Sequence, residues 1–168
     1  ELDAIVDALD EFEGAIVITG TNGDPRSSEV AARLAGFAAV RPNTVIRQSL
    51  GQDLYYEVLH HAAFIIGNSS SGIWEAPSVG LPAINVGDRQ AGRIRAANVW
   101  DANADAAQIR GLIARAVGLD EGARRQLRSN PYAGVRSSHR IATYLGGVPL
   151  DSSLLRKTFL PSTQGDPG

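Results

Sequence analysis

Short apolar runs alternate with longer stretches of helical periodicity along the first hundred or so residues of this chain. Each run is nearly continuous in apolar residues and is followed by glycine or a polar residue, which is typical of strands buried on both faces of a parallel sheet. The pattern predicts five such strands, at 15–19, 43–48, 64–66, 83–86 and 98–100.

Helices are predicted before, between and after these strands. Leu2, Ile5, Val6 and Leu9 recur at helical spacing within 1–10. Further helices are predicted at 26–39, 52–62, 70–79, 105–118, 120–129 and 136–146. Strands that alternate with helices in this way indicate an α/β fold of three layers, with a Rossmann-like parallel sheet of five or six strands covered on both faces.

The domain organisation follows from where the periodicity stops. We expect one domain over 1–150 and a C-terminal tail over 151–168, which is rich in Gly, Pro and Ser and is expected to be partly docked and then disordered. The helix at residue 1 has no visible N-cap and no preceding strand. We therefore expect the chain to be part of a longer protein, cut at a domain boundary.

Composition narrows the possible functions. The net charge of −2 argues against a protein built to neutralise nucleic-acid phosphates, and no apolar run approaches the length of a membrane helix. We expect neither nucleic acid nor membrane as a partner, and since no secretory-signal pattern is present we expect a cytoplasmic location. The absence of cysteine excludes disulfides, thiolate nucleophiles and cysteine-ligated metals within these residues.

The segment with the clearest chemical character is GNSSSGIWEAP at 67–77, which follows the third strand and opens a helix. Hydroxyls and glycines at a helix start let an anion such as phosphate approach unpaired backbone N–H groups. The alternative is a plain N-cap, but one serine suffices for a cap and three stand here between two glycines. The residues therefore favour anion binding. Neither a GxGxxG nor a Walker motif is present.

Glu75 lies about one turn into the same predicted helix, four residues after Ser71. A carboxylate would repel a phosphate but suits the two hydroxyls of a ribose. It equally suits the positive end of a helix dipole, and the residues alone leave these two interpretations even.

Loops after two other strands lie at the same predicted edge of the sheet, where open α/β folds bind ligands. Arg89 and Arg93 follow the fourth strand and could pair with phosphate, although a solvated surface arginine is the commoner case. Asn22 follows the first strand in a segment that otherwise reads as a turn. Tyr55 is more simply a packing or surface residue than a stacking platform.

The sequence shows no carboxylate pair, Ser–His–Asp set or metal cluster, so we predict no catalytic residue, metal or cofactor in this chain.

The run FIIGNSSSGIWEAPSVGLPAINVGDRQAGRIRAANV at 64–99 strongly resembles the hydrolysing UDP-N-acetylglucosamine 2-epimerases, in particular the branch that makes N-acetylmannosamine for sialic acid and related sugars. Supporting matches are Asn22, the stretch 50–61 and Asn-Pro-Tyr at 130–132, so the resemblance covers about 1–146. It implies a fold of GT-B type with two Rossmann-like domains, of which this chain is the C-terminal, nucleotide-binding half. The catalytic carboxylates would then lie in an N-terminal domain that this chain lacks.

The resemblance also implies which residues bind the nucleotide. Ser69 and Ser70 match the serines that hold the diphosphate, and Glu75 matches the glutamate that binds the ribose hydroxyls. Arg89 lines the site, and the backbone at Leu50 faces uracil. The full set of implied binding positions is Asn22, Leu50, Asn68, Ser69, Ser70, Ser71, Gly72, Glu75 and Arg89.

In chemical terms the resemblance implies that UDP leaves UDP-N-acetylglucosamine by anti elimination to give 2-acetamidoglucal, and that water then adds at C1 with inversion at C2. The ligands would be UDP-N-acetylglucosamine or UDP, the active enzyme would be the full-length protein as a homo-oligomer, and this chain alone would be inactive. Two alternatives remain: the C-terminal domain of a GT-B glycosyltransferase, and a stand-alone module that binds UDP-sugars.

Overall fold

A computed structural model of the chain describes residues 1–20, 27–134, 136–152 and 154. The strands of these described residues are β1 Ile16–Thr19, β2 Thr44–Arg47, β3 Ile65–Gly67, β4 Ala83–Val86 and β5 Val99–Ala102. Their helices are α1 Leu2–Leu9, α2 Ser27–Ala39, α3 Gly51–His61, α4 Ser71–Trp74, α5 Ala76–Val79, α6 Ala106–Val117, α7 Glu121–Gln126 and α8 Ser137–Gly147. None of these helices has the length and apolar character needed to cross a bilayer, as far as the described residues go.

Every strand pairing among the described residues is parallel, as predicted. β1 pairs with β2, while β4 lies between β3 and β5. The expected single sheet is thus hydrogen-bonded in two parts, and among the described residues no ladder joins β1 to β3. Residues of β1 and of β3 line one cavity instead.

The alternation of side chains along β3 and β4 produces the layers. Ile65 and Ala83 are register partners and belong to one apolar cluster with Leu59 of α3. Their neighbours in sequence, Ile66 and Ile84, point to the opposite face, as the period of two in a strand requires. That face packs against α1, α2 and α6, with these residues buried or partly buried: Val6, Leu9, Phe37, Ile109 and Ile113. The predicted three-layer α/β arrangement is therefore confirmed.

One predicted helix, 70–79, is two short helices in the structure. Pro77 has no N–H to donate to the carbonyl four residues back, and its ring would clash there, so a continuous helix cannot pass through it. The chain instead ends α4 at Trp74 and starts α5 at Ala76, with Pro77 in its first turn. Gly80 ends α5 with a φ of 69°, and a Cβ there would lie 2.3 Å from the Arg124 carbonyl oxygen, so the position requires glycine.

The chain divides into two compact units, 1–133 and 134–168. The first unit holds all five described strands and α1 to α7. The N-cap residues of α6 and α7 are Asp105 and Asp120, and each side chain accepts from a backbone N–H group at 2.7 Å. The second unit holds α8. The predicted tail over 151–168 is described only at 151, 152 and 154.

Candidate functional site

A cavity of about 1000 Å³ opens at the carboxyl ends of four strands. Gly20 follows β1, Leu50 lies just after β2, Asn68 and Ser69 follow β3, and Arg89 follows β4. Because the neighbouring strands are parallel, the loops that leave them converge at one edge, which is where ligands of α/β folds bind. The sequence-based prediction placed its candidates at this edge for the same reason.

The structure brings most of the predicted residues together. Five of them line the cavity, namely Leu50, Asn68, Ser69, Gly72 and Arg89. Three others belong to the same turn and helix without lining the cavity, namely Ser70, Ser71 and Glu75. Asn22 lies outside the described residues.

The turn 68–72, called the serine turn below, is organised by backbone and hydroxyl groups together. The Ser70 carbonyl accepts from the backbone N–H groups of Ile73 and Trp74 at 2.9 Å each, which starts α4. Ser70 occupies the N-cap position but makes no side-chain cap hydrogen bond. The Ser69 hydroxyl instead accepts from the Ser71 N–H at 3.3 Å. The turn is therefore not a simple N-cap, which was the alternative to ligand binding.

Close packing behind the turn depends on Gly72. A Cβ at this position would lie 3.1 Å from the Ala83 side chain on β4, tighter than ordinary van der Waals contact. Gly72 thus lets α4 lie directly against the central strand, with its first residue, Ser71, buried. Sequence analysis assigned this glycine to ligand approach, and the structure adds a packing role.

Tyr55 belongs to the site although sequence analysis assigned it to packing or the surface. Its hydroxyl forms a hydrogen bond with the Ser71 hydroxyl. Burial raises the pKa of Tyr55 above its ordinary value; the Ser71 hydrogen bond opposes this shift and the nearby carboxylate of Glu75 adds to it. No sequence signal could have found the pair, because α3 and α4 are brought together only by tertiary packing.

Glu75 lies between α4 and α5. Its N–H donates to the Ser71 carbonyl at 3.1 Å, so the predicted spacing of one helical turn is present. Its Oε2 atom is buried and has no hydrogen-bond partner among the described residues. A buried acceptor without a partner is costly, so this oxygen is well suited to accept from a ligand hydroxyl.

The loops after β3 and β4 are tied together by Gln90. Its side chain is only 2% exposed and donates to the Asn68 carbonyl at 2.7 Å. Arg95 donates to the Gln90 carbonyl at 3.1 Å and pairs with Asp101, which accepts from Asn85 at 2.7 Å. Sequence analysis missed Gln90, because a glutamine in a polar loop gives no sign of burial.

Arg93 is placed differently from Arg89. Its guanidinium lies 5.3 Å from the centre of the Trp74 ring, and that ring is 6.0 Å from the Tyr132 ring. Asn130 donates to the Trp74 carbonyl and to the Ser78 hydroxyl at 2.7 Å each. Asn130 of the Asn-Pro-Tyr motif therefore links α4 to α5. Arg93 stacks on an aromatic ring, whereas Arg89 lines the cavity.

The chemistry available here is recognition of an anion and of hydroxyl groups. A guanidinium, hydroxyls and glycine backbone line the cavity, and a buried carboxylate oxygen belongs to Glu75 at the end of α4. Over the part of the chain that the structure describes, no group of three or more His, Asp or Glu residues is placed to hold a metal ion.

Comparison with known proteins agrees with this chemistry. A profile of the family described as UDP-N-acetylglucosamine 2-epimerase matches residues 1–146. The chain is 33% identical over 103 residues to the GDP/UDP-N,N'-diacetylbacillosamine 2-epimerase (hydrolyzing) of Campylobacter jejuni, covering 60% of this chain and 27% of that protein. It is 28% identical over 138 residues to the polysialic acid biosynthesis protein P7 of Escherichia coli, covering 79% of this chain and 34% of that protein.

A solved structure has a similar fold. The Methanocaldococcus jannaschii UDP-GlcNAc 2-epimerase, crystallised with UDP-GlcNAc and UDP, superposes with a TM-score of 0.64 at 15% identity. The superposition covers 86% of this chain and 39% of that one. The chain thus spans about a third of the length of the curated relatives named above and somewhat more of this structure.

Proposed function

Because the chain belongs to the UDP-N-acetylglucosamine 2-epimerase family, we propose that it binds UDP-N-acetylglucosamine or UDP in the cavity at the carboxyl ends of β1 to β4. The observation that carries the proposal is the convergence of Leu50, Asn68, Ser69 and Arg89 on that one cavity. These residues come from loops after three different strands, and their chemistry suits a nucleoside diphosphate.

The proposed pose has its diphosphate on the turn 68–72, facing Arg89. A guanidinium pairs with phosphate oxygens through a planar set of donors, and glycine lets those oxygens approach the backbone. The base lies toward Leu50 at the start of α3, and the ribose hydroxyls donate to the buried carboxylate of Glu75. Asn22 contacts the same ligand in this proposal.

The proposed reaction is that of a longer protein. UDP leaves C1 of UDP-N-acetylglucosamine as a proton is removed from C2, which gives 2-acetamidoglucal; water then adds at C1 to give N-acetylmannosamine. This chain supplies the positive charge and donors that stabilise the departing UDP. The groups that move protons belong to an N-terminal domain, and the complete enzyme is a homo-oligomer.

The family match favours this function over the alternatives. A glycosyltransferase domain of GT-B type would have a similar cavity, but the epimerase profile matches continuously over residues 1–146. A stand-alone binding module would share the ligand and differ only in lacking the second domain. Assaying the chain alone and together with any sequence encoded upstream of it separates a module from an enzyme.

The chain by itself is expected to bind UDP without turning over UDP-N-acetylglucosamine. Calorimetric titration with UDP measures the binding, and NMR of a mixture with UDP-N-acetylglucosamine detects any UDP and N-acetylmannosamine released. Absence of UDP binding would contradict the proposed function. Turnover by this chain alone would show that the reactive groups lie within it.

Replacing Glu75 with alanine is expected to reduce the preference for a ribose with free hydroxyls. UDP should bind roughly 10-fold more weakly, as expected when hydrogen bonds to one charged group are lost. Inorganic diphosphate should bind as before or slightly more tightly, because a nearby negative charge is gone. Titrations with UDP, 2'-deoxy-UDP and diphosphate measure these differences.

The matched control for Glu75→Ala is Glu121→Ala, since Glu121 is exposed on α7 and pairs with Arg125. It should leave all three affinities unchanged. If Glu75→Ala weakens UDP and diphosphate equally, the carboxylate does not contact the ribose.

A further inference from the structure

The hydrogen bond between Tyr55 and Ser71 joins two parts of the site that are 16 residues apart in sequence. Tyr55 lies on α3, and it lines the cavity together with Ser69. Ser71 is buried and is itself bonded to Ser69, whose hydroxyl accepts from the Ser71 N–H at 3.3 Å. The serine turn is thus attached to α3 through this side-chain hydrogen bond.

Either hydroxyl could donate in the hydrogen bond between Tyr55 and Ser71. A phosphate oxygen only accepts, so any hydroxyl that serves it must donate its own proton. A tyrosine phenol is protonated at neutral pH at its ordinary pKa, and burial raises the pKa of Tyr55 further, so its hydroxyl can donate to Ser71. Ser71 is buried and does not line the cavity, so the bond acts by holding the turn whose Ser69 does line it.

We propose that Tyr55 is a positioning residue, whose hydroxyl holds Ser71 and thereby presets the turn 69–71 for a diphosphate. This inference rests on the proposed function, since it concerns how that same site recognises its ligand. A turn that is already fixed loses less conformational entropy on binding than a loose one, and the difference is seen as affinity. Tyr55 acts through Ser71 and need not touch the diphosphate.

The test is calorimetric titration of the chain and its variants with UDP and with inorganic diphosphate, together with an NMR titration with uridine. Tyr55→Phe keeps the ring and removes only the hydroxyl. Loss of one neutral hydrogen bond is expected to weaken UDP and diphosphate roughly 3- to 10-fold. Uridine, which has no diphosphate, should bind Tyr55→Phe as it binds the unmodified chain.

A double-mutant cycle with Ser71 shows whether the two hydroxyls act as one unit. Ser71→Ala should weaken diphosphate about as much as Tyr55→Phe, and the double variant no more than either. Tyr56→Phe is the matched control, because Tyr56 is the adjacent, more exposed tyrosine of the same helix and has a ring contact that phenylalanine keeps. It should bind all three ligands normally.

The outcomes separate this inference from the function on which it rests. An unmodified chain that binds neither UDP nor diphosphate overturns both. Normal binding by the unmodified chain and equal binding by Tyr55→Phe overturns the positioning role alone. Equal loss of uridine and diphosphate, or additive effects in the double variant, also overturns it, since Tyr55 would then support packing in general. Should Tyr55→Phe fail to fold, Ser71→Ala provides the same comparison of diphosphate with uridine.

Discussion

Replacing Arg89 with alanine is expected to weaken UDP binding by roughly 10- to 100-fold, which corresponds to losing hydrogen bonds to a charged group. Arg89 lines the cavity in the loop after β4, beside the turn that follows β3. In the proposed pose its guanidinium faces the diphosphate, the part of the ligand that carries the negative charge. Inorganic diphosphate should therefore lose affinity in proportion, whereas uridine should not.

One further variant distinguishes the charge of Arg89 from its donor geometry, and a second variant, elsewhere on the chain, is the control. Arg89→Lys keeps the charge but loses the planar set of donors, so its UDP affinity should fall between those of the unmodified chain and Arg89→Ala. Arg125→Ala removes an exposed arginine on α7 that pairs with Glu121, and it should change nothing. Calorimetric titration of the three variants with UDP and diphosphate gives the comparison.

Ionic strength supplies an independent check. Added salt screens the attraction between the exposed Arg89 and an anion, so UDP affinity should fall as salt rises. That dependence should be weaker in Arg89→Ala, because one of the interacting charges is gone. If Arg89→Ala binds UDP and diphosphate as the unmodified chain does, the diphosphate does not lie at this loop.

The positions of the strands could be predicted because each contains a short apolar run that is followed by glycine or a polar residue. β4 is the clearest example: all four of its residues are buried, and its observed bounds equal the predicted ones. β5 was predicted to end at Trp100 but continues to Ala102. Asp101 conceals this extension, because a charged residue after an apolar run indicates the end of a strand; in the structure its side chain is exposed and contacts Asn85 and Arg95.

The edge of the sheet that forms the site could also be predicted, since the carboxyl ends of parallel strands meet on one side. The contacts that organise the site could not. Tyr55 reaches Ser71, and Gln90 reaches Asn68, across 16 and 22 residues of sequence. Such pairs depend on how helices and loops pack in three dimensions, and neither hydrophobic periodicity nor local spacing carries that information.

Asn98 is a fully buried polar residue whose loss should destabilise the chain. Its side chain is fully buried, and its amide group donates to the carbonyls of Leu81 at 2.9 Å and Gly72 at 3.2 Å. Its backbone carbonyl oxygen accepts from the Ala83 N–H at 2.8 Å. Asn98 therefore fastens the start of β4 to α4, the helix that opens at the serine turn.

We expect Asn98→Ala to lower the free energy of unfolding by about 2–3 kcal/mol, because buried carbonyls left without a donor cost about 1–3 kcal/mol each and local relaxation recovers part of that cost. The Asn98 side-chain oxygen has no partner among the described residues, so its removal offsets a further part. Urea denaturation measures the change. Asn103→Ala, at an exposed position just after β5, is the control and should stay within about 0.5 kcal/mol of the unmodified chain.

Asn98→Asp separates the hydrogen bonds from the space that the side chain fills. Aspartate has nearly the same volume, so it leaves no cavity, but its carboxylate cannot donate to the Gly72 and Leu81 carbonyls. It also places a charge where no cation is bonded to it, which is more costly than an unpaired neutral group. Asn98→Asp should therefore destabilise the chain at least as much as Asn98→Ala at neutral pH. If it is as stable as the unmodified chain, packing alone holds α4 against β4 and the amide contributes nothing.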